Sequence, residues 1–212
     1  MAFDFKKEYS DLYMPKIKPN VVDVPEMVFI MVDGKGNPNT SDAYKTALEI
    51  LYGLSWSIKM SKMSGMQPKG YYEYVVPPLE GLWWGEADYF NRTDIADKDK
   101  FCWTSMIRQP EFVTQEVFEE TKHVLHKKKP ELDLSLARHV LFTEGLCVQI
   151  MHIGSYDNEP ATIAALDKFA IENGYAVDIN ATRRHHEIYL SDPRKIAIDK
   201  LKTIIRHPIS KL

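Results

Sequence analysis

The sequence is short of several things, and each shortage excludes something. Of its 212 residues only two are cysteines, Cys102 and Cys147. That is too few for a disulfide framework, and both sit in apolar, strand-like segments as small buried hydrophobes of a reducing compartment. No run approaches the roughly 20 apolar residues of a membrane-spanning helix, and no apolar leader follows Met1. A cytoplasmic protein without membrane contact is therefore expected. Neither sign of charge dominates: 27 Lys and Arg against 30 Asp and Glu leave a net charge of -3. With acid and base interspersed, no nucleic-acid partner is expected. The one basic run, Lys127-Lys128-Lys129, reads as the cationic last turn of a helix that Pro130 stops.

Catalytic and cofactor signatures are missing too. Gly34-x-Gly36 lacks the rest of a dinucleotide fingerprint, and neither a Walker A loop nor a Gly-x-Ser-x-Gly elbow occurs. Seven histidines include His123-x-x-His126 and His185-His186, but with no HExxH and so few thiols, neither metal nor cofactor is expected. Asn91-Arg92-Thr93 and Asn180-Ala181-Thr182 match glycosylation sequons without other signs of secretion. Ser210-Lys211-Leu212 spells a peroxisomal address, which means nothing in a bacterium.

What is present is an ordinary globular balance, 44% hydrophobic and 27% charged, and an internal repeat. Val28 to Gly34 and Val148 to Gly154 share V-x-I-M-x-x-G, each a β-rich run closed by glycine. A proline-containing connection follows each (Pro38, Pro160), then a helical stripe. The first stripe, capped by Ser41, has Tyr44, Ala47, Leu48, Leu51, Leu54, Ser55 and Ile58. The second has Ile163, Leu166, Phe169 and Ala170, ended by Asn173-Gly174. Strand candidates come next, Tyr71 to Val76 and His185 to Leu190, aligned so that Glu73 becomes the twin of Glu187. Phe101 to Arg108 and about Thr203 to His207 close the copies.

The expected fold is therefore α+β, with tandem β-α-β-β units related by a pseudo-twofold axis. The first unit covers about 25–108, a helical insertion about 114–142, and the second unit about 144–208, all in one domain. Units this small bury little apolar surface alone, so they should pack together and leave a ligand cleft between them.

Aromatic residues give the cleft its expected character. Trp83-Trp84, after Pro77-Pro78 and Gly81, read as part of a turn-rich segment in which at least one indole faces a cleft, a partner or solvent. Trp103 lies on a strand, Tyr71 on another, and Tyr156 in the second repeat turn. Each ring alone suits a core equally well; their density in loops and at strand ends favours a flat apolar pocket. Alternation places His185, Glu187 and Tyr189 on one strand face. A carboxylate between imidazole and phenol suits the polar centre of such a pocket, and equally a solvated strand face; Glu73 is the second acid to consider.

The chain resembles the stand-alone GyrI-like small-molecule-binding proteins. The resemblance rests on Val24-Pro25-Glu26-Met27 through Asn37-Pro38, Glu80-Gly81-Leu82-Trp83-Trp84, Met106-Ile107-Arg108-Gln109-Pro110, Gly154-Ser155-Tyr156 through Glu159-Pro160, and His186-Glu187-Ile188-Tyr189 through Pro193-Arg194. It implies tandem β-α-β-β units with the ligand between them, aromatic walls, and an acid that falls by motif on Glu187. Relatives fused to helix-turn-helix segments regulate transcription, and the 24 or so residues before the first strand are too few for such a module.

The Trp-rich signature looks more like the members that hydrolyse the strained cyclopropane of DNA-alkylating natural products. That implies Glu187 as the base for water, His185 or Tyr189 as hydrogen-bond donors, and Trp83, Trp84, Trp103, Tyr71 and Tyr156 as walls. Three readings stay open: hydrolysis of cyclopropanoid xenobiotics as detoxification, sequestration without turnover, and modulation of a protein such as gyrase. A monomer or homodimer suits all three.

Overall fold

The computed structural model of the protein describes residues 2–85 and 98–212. The Asn91 sequon lies outside the described residues. Two short helices, α1 (Phe5–Glu8) and α2 (Ser10–Tyr13), precede β1 (Asn20–Lys35), α3 (Asp42–Met60), β2 (Leu79–Gly85) and β3 (Phe101–Arg108). Then follow α4 (Gln115–Lys128), β4 (Ala137–Ile153), α5 (Glu159–Glu172), β5 (Tyr175–Val177), β6 (His185–Tyr189) and β7 (Lys202–Lys211). Among the described residues no helix is long and apolar enough to cross a membrane.

All the strand pairs are antiparallel. β1 pairs with β3 and β4, β2 with β3 and β6, and β7 with β6 and β4, so six strands close into a ring that β5 extends at β7. Two β-α-β-β units thus interlock through the β1–β4 and β2–β6 pairs, the tandem arrangement expected from the repeat. On β4, Gly145 faces Val24 of β1 with a backbone φ of 72°, which side-chain-bearing residues avoid.

Three apolar clusters follow from alternation along the strands. Phe29, Met31, Met106, Ile188 and Ile204 point into the ring, where Leu12 and Tyr13 of α2 join them. Outside, α3 lays Ala47, Ile50, Leu51, Leu54 and Ile58 over Ile30, Val32, Trp103 and Ile107. The spacing of three and four residues is what one buried helix face requires, and Ser41 Oγ caps the helix by accepting from Tyr44 N at 3.4 Å. α5 covers Val148, Ile150, Ile205 and Ile209 in the same manner with Ile163, Leu166 and Ala170.

Four expectations change. Tyr71 to Val76 is not a strand of the sheet; it touches β structure only in an isolated bridge between Tyr74 and Phe3, and its rings pack with Phe5 and Phe112. β2 takes the expected place, so Trp83 and Trp84 are strand residues with ladders on both sides, despite the flanking prolines and glycines. Carrying the Val28–Val148 correspondence through the registers matches Arg108 with Arg206 and Leu79 with Glu187, so Glu73 is not the twin of Glu187. β4 also begins at Ala137, taking up the end of the span read as a helical insertion.

Candidate functional site

A cavity of about 930 Å³ opens on the outer face of β2 and β6, between α3 of one unit and α5 of the other. Its floor is strand alternation made visible: Leu79 and Trp83 from β2, and His185, Glu187 and Tyr189 from β6. α3 contributes Tyr44, Leu48, Tyr52 and Trp56 along one stripe, while Tyr156, Glu159 and Ile163 close the far side. The rings form a continuous wall. Trp83 sits 6.0 Å from both Tyr44 and Phe101, and Tyr156 meets Tyr189 edge-on at 5.9 Å.

Glu187 is held from both sides. Its Oε1 lies 2.9 Å from His185 Nε2, and its Oε2 accepts from the Tyr189 hydroxyl at 2.8 Å. Tyr189 in turn accepts from Trp83 Nε1 at 2.9 Å. Gly81 makes that contact feasible: a Cβ there would stand 2.7 Å from Trp83 Nε1 and 3.2 Å from the Tyr189 oxygen. Burial alone would raise the Glu187 pKa. The hydrogen bond and charge of His185, with the Tyr189 hydroxyl and the charge of His186, hold it below the ordinary carboxylate range instead. Tyr189 commits its hydroxyl hydrogen to Glu187 while staying neutral, so it orients the acid. Burial and the Glu187 charge push the Tyr156 hydroxyl up to about 12, so it stays a neutral donor.

A second acid, Glu159, stands at the start of α5 and is 4% exposed. Burial first, then the charge of Glu187 and a hydrogen bond shared with it, push its pKa well above the usual value. Its Oε1 is buried with no hydrogen-bond partner among the described residues. Two carboxyls therefore share the cavity, one pushed towards the ionised form and one towards the protonated, the division expected of a base and an acid. In the sequence Glu159 stood out only as part of the motif Gly154-Ser155-Tyr156 through Glu159-Pro160. What singles it out is that its turn folds over the cleft, a fact of packing between the units.

The other anticipated residues lie elsewhere. Trp84 points to the opposite face, with the Arg184 guanidinium 4.6 Å from its ring. Trp103 is 1% exposed in the core beneath α3, edge-on to Tyr44 at 5.0 Å, and supports the wall from behind. Tyr71 donates to the carbonyl of Lys59, and Glu73 is ion-paired with Lys62 on the surface. His123 faces Glu119 on α4, away from the cavity. Tyr44, Tyr52, Trp56 and Phe101 are the wall residues that the sequence reading did not select. The helical stripe contained Tyr44, but a helix face rich in apolar residues gave no sign of which edge would overhang a cleft.

Known proteins share this fold. Residues 17–210 match the model of the GyrI-like small molecule binding domain. The chain is 50% identical to a protein of Listeria innocua described as uncharacterized and conserved, over 98% of this chain and 100% of that one, with a TM-score of 0.93. It is 48% identical to another Listeria innocua protein, described as a hydrolase, over 98% and 100% of the two chains, with a TM-score of 0.90. The C-terminal domain of EcmrR, at 11% identity, covers 92% of this chain and 98% of that one with a TM-score of 0.53, a likeness of fold alone. No curated protein matches.

Proposed function

Since the chain belongs to the GyrI-like small molecule binding domain family, we propose that it binds flat, apolar aromatic xenobiotics in the inter-unit cleft and hydrolyses a strained ring in them, cyclopropanoid alkylating agents being the class. The observation that carries this reading is the meeting of two carboxyls, Glu187 and Glu159, inside an aromatic cavity, with Glu187 lowered by His185 and Tyr189 and Glu159 raised by burial and the Glu187 charge. Stacking on Trp83, Tyr44 and Tyr156 holds the ligand and keeps bulk water out. A water beside the carboxyl pair attacks a ring carbon. Glu187 takes its proton as the C–O bond forms and the strained C–C bond breaks. The bonding electron pair passes into the conjugated system of the ligand, and Glu159 supplies the proton that system finally needs. Strain provides most of the driving force, so the protein contributes position and proton management. The description of a 48% identical relative as a hydrolase supports the reading.

Sequestration without turnover is the second reading, favoured by one observation. A carboxylate held below the usual range is a modest base and a good counter-ion for a cationic aromatic ligand. Incubating the protein with a large molar excess of a cyclopropanoid compound separates the two. Many equivalents of ring-opened product per protein are expected; conversion that stops at one equivalent leaves binding alone. Glu187→Gln should reduce turnover by about 100-fold or more, the usual contribution of a positioned base. It should also retain affinity for a neutral aromatic ligand. Undiminished turnover removes Glu187 from the mechanism.

A further inference from the structure

Behind Glu187 the hydrogen bonding continues away from the cleft. His185 Nε2 meets Glu187 Oε1 at 2.9 Å, His185 Nδ1 meets His207 Nε2 at 2.7 Å, and His207 Nδ1 meets Asp167 Oδ1 at 2.6 Å. Both imidazoles are buried, at 2% and 0% exposure, whereas the side chain of Asp167 on α5 is 21% exposed. The row passes from β6 to β7 beneath α5 and surfaces eight residues, about 12 Å of helix, beyond Glu159. Here each ring uses both nitrogens, joining a carboxyl in the cleft to a carboxyl at the surface.

Proton counting shows what the row can do. Three hydrogen bonds need three bridging protons, and two neutral imidazoles bring only two N–H groups. A fully bonded row therefore holds one extra proton between its two carboxylates, and that proton can sit at either end.

We propose that Glu187, His185, His207 and Asp167 form a proton path connecting the cleft to solvent behind α5, with His207 and Asp167 as positioning residues for Glu187. Transfer is balanced. The proton of the Glu187 carboxyl moves to His185 Nε2, that of His185 Nδ1 to His207 Nε2, and that of His207 Nδ1 to Asp167. The end state is an ionised Glu187, two imidazoles protonated at Nε2, and a neutral Asp167 whose exposed edge yields the proton to water. A ligand stacked in the cleft closes the front exit, so a proton taken from the attacking water leaves by this rear one. That use rests on the hydrolytic reading; the path itself does not.

The test therefore reads the path without turnover. Carbon-13 NMR of the Glu187 carboxyl is followed through a pH titration in the full chain, beside nitrogen-15 spectra of the two imidazoles. Tyr44, Tyr156, Tyr189, Glu159 and His186 also act on Glu187 and are the same in every variant. Asp167→Asn keeps a hydrogen-bond partner for His207 but removes the far negative charge that holds the extra proton. The Glu187 midpoint should rise by about one pH unit, as expected when a cationic neighbour is lost, and the tautomer populations of both rings should change. His207→Gln, which cannot exchange one N–H for another, should do the same. If that variant does not fold, Asp167→Asn decides alone. A Glu187 midpoint and ring tautomers unchanged in Asp167→Asn overturn the path, whatever the turnover. A shifted midpoint in a protein that turns nothing over keeps the path and discards hydrolysis. With turnover, Asp167→Asn should lower kcat several-fold at unchanged KM, which loss of packing would not do selectively.

Discussion

At the scale of single residues, the division of labour between two acids is the informative feature. Glu187 is held below the ordinary carboxylate value of 4.5 and Glu159 above it, so one proton resides on the pair over the interval between the two. The pH profile of kcat/KM should therefore be a bell. Its acid limb falls below pH 4.5 as Glu187 protonates; its alkaline limb lies above 4.5, where Glu159 ionises. Glu159→Gln should keep the acid limb and remove the alkaline one, and a profile unchanged in that variant would exclude Glu159 as the acid. Gly81 offers a finer probe. Gly81→Ala places a methyl 2.7 Å from Trp83 Nε1, so the indole must swing away from Tyr189. Tryptophan fluorescence should shift and ligand affinity drop by about tenfold, the worth of one lost buried hydrogen bond. An affinity equal to that of the native protein would show that this bond does not shape the cavity.

At the scale of elements, two faces of one strand do different work. On β6 the cleft side carries His185, Glu187 and Tyr189, and the ring side carries His186 and Ile188. That much was legible, because alternation in a strand is a local rule. The repeat was legible too, and it gave the order of elements and the cleft between them. The twin of Glu187 was not. Tyr71 to Val76 has β-forming residues in a good pattern, yet its rings are claimed by the α1 region and by Phe112, while β2, with two glycines, wins the place through ladders to β3 and β6. Tertiary pairing overrode propensity. The same reason hid Glu159, Tyr52 and Trp56, whose roles depend on which helix edge overhangs the neighbouring unit. One helix prediction follows. Ser41→Ala removes the α3 cap and should cost about 1 kcal/mol in chemical denaturation, without altering ligand affinity.

At the scale of the whole molecule, charges inside the ring join the two units. His186 lies 3.0 Å from both Glu80 and Glu144, Glu144 takes the Arg206 guanidinium at 3.0 Å, and the Tyr13 hydroxyl donates to Glu80 at 3.0 Å. Burial disfavours the His186 charge, but Glu144 and Glu80 outweigh it and raise the imidazole to about 9; burial would raise Glu144, but His186 and Arg206 bring it to about 2. The stabilisation from His186 is full below its unfolded value of 6.5 and fades as pH rises through 9. That from Glu144 is full above 4.5 and fades as pH falls towards 2. Thermal unfolding should therefore show a plateau between pH 4.5 and 6.5 with a decline on both sides. His186→Leu, which takes the shared cation from two buried carboxylates, should cost about 3–5 kcal/mol and erase the alkaline decline. Retention of that decline would assign it to another group.

The closed ring also has a consequence for how the protein comes into being. Trp83 and its partner Tyr189 are separated by 106 residues, so the floor of the cleft cannot exist while only the first unit has left the ribosome. During that interval β2 shows an open edge and an indole to every neighbour. Synthesis is then the stage at which misassembly is most favoured, a cost inherited from the very interlocking that creates the cleft.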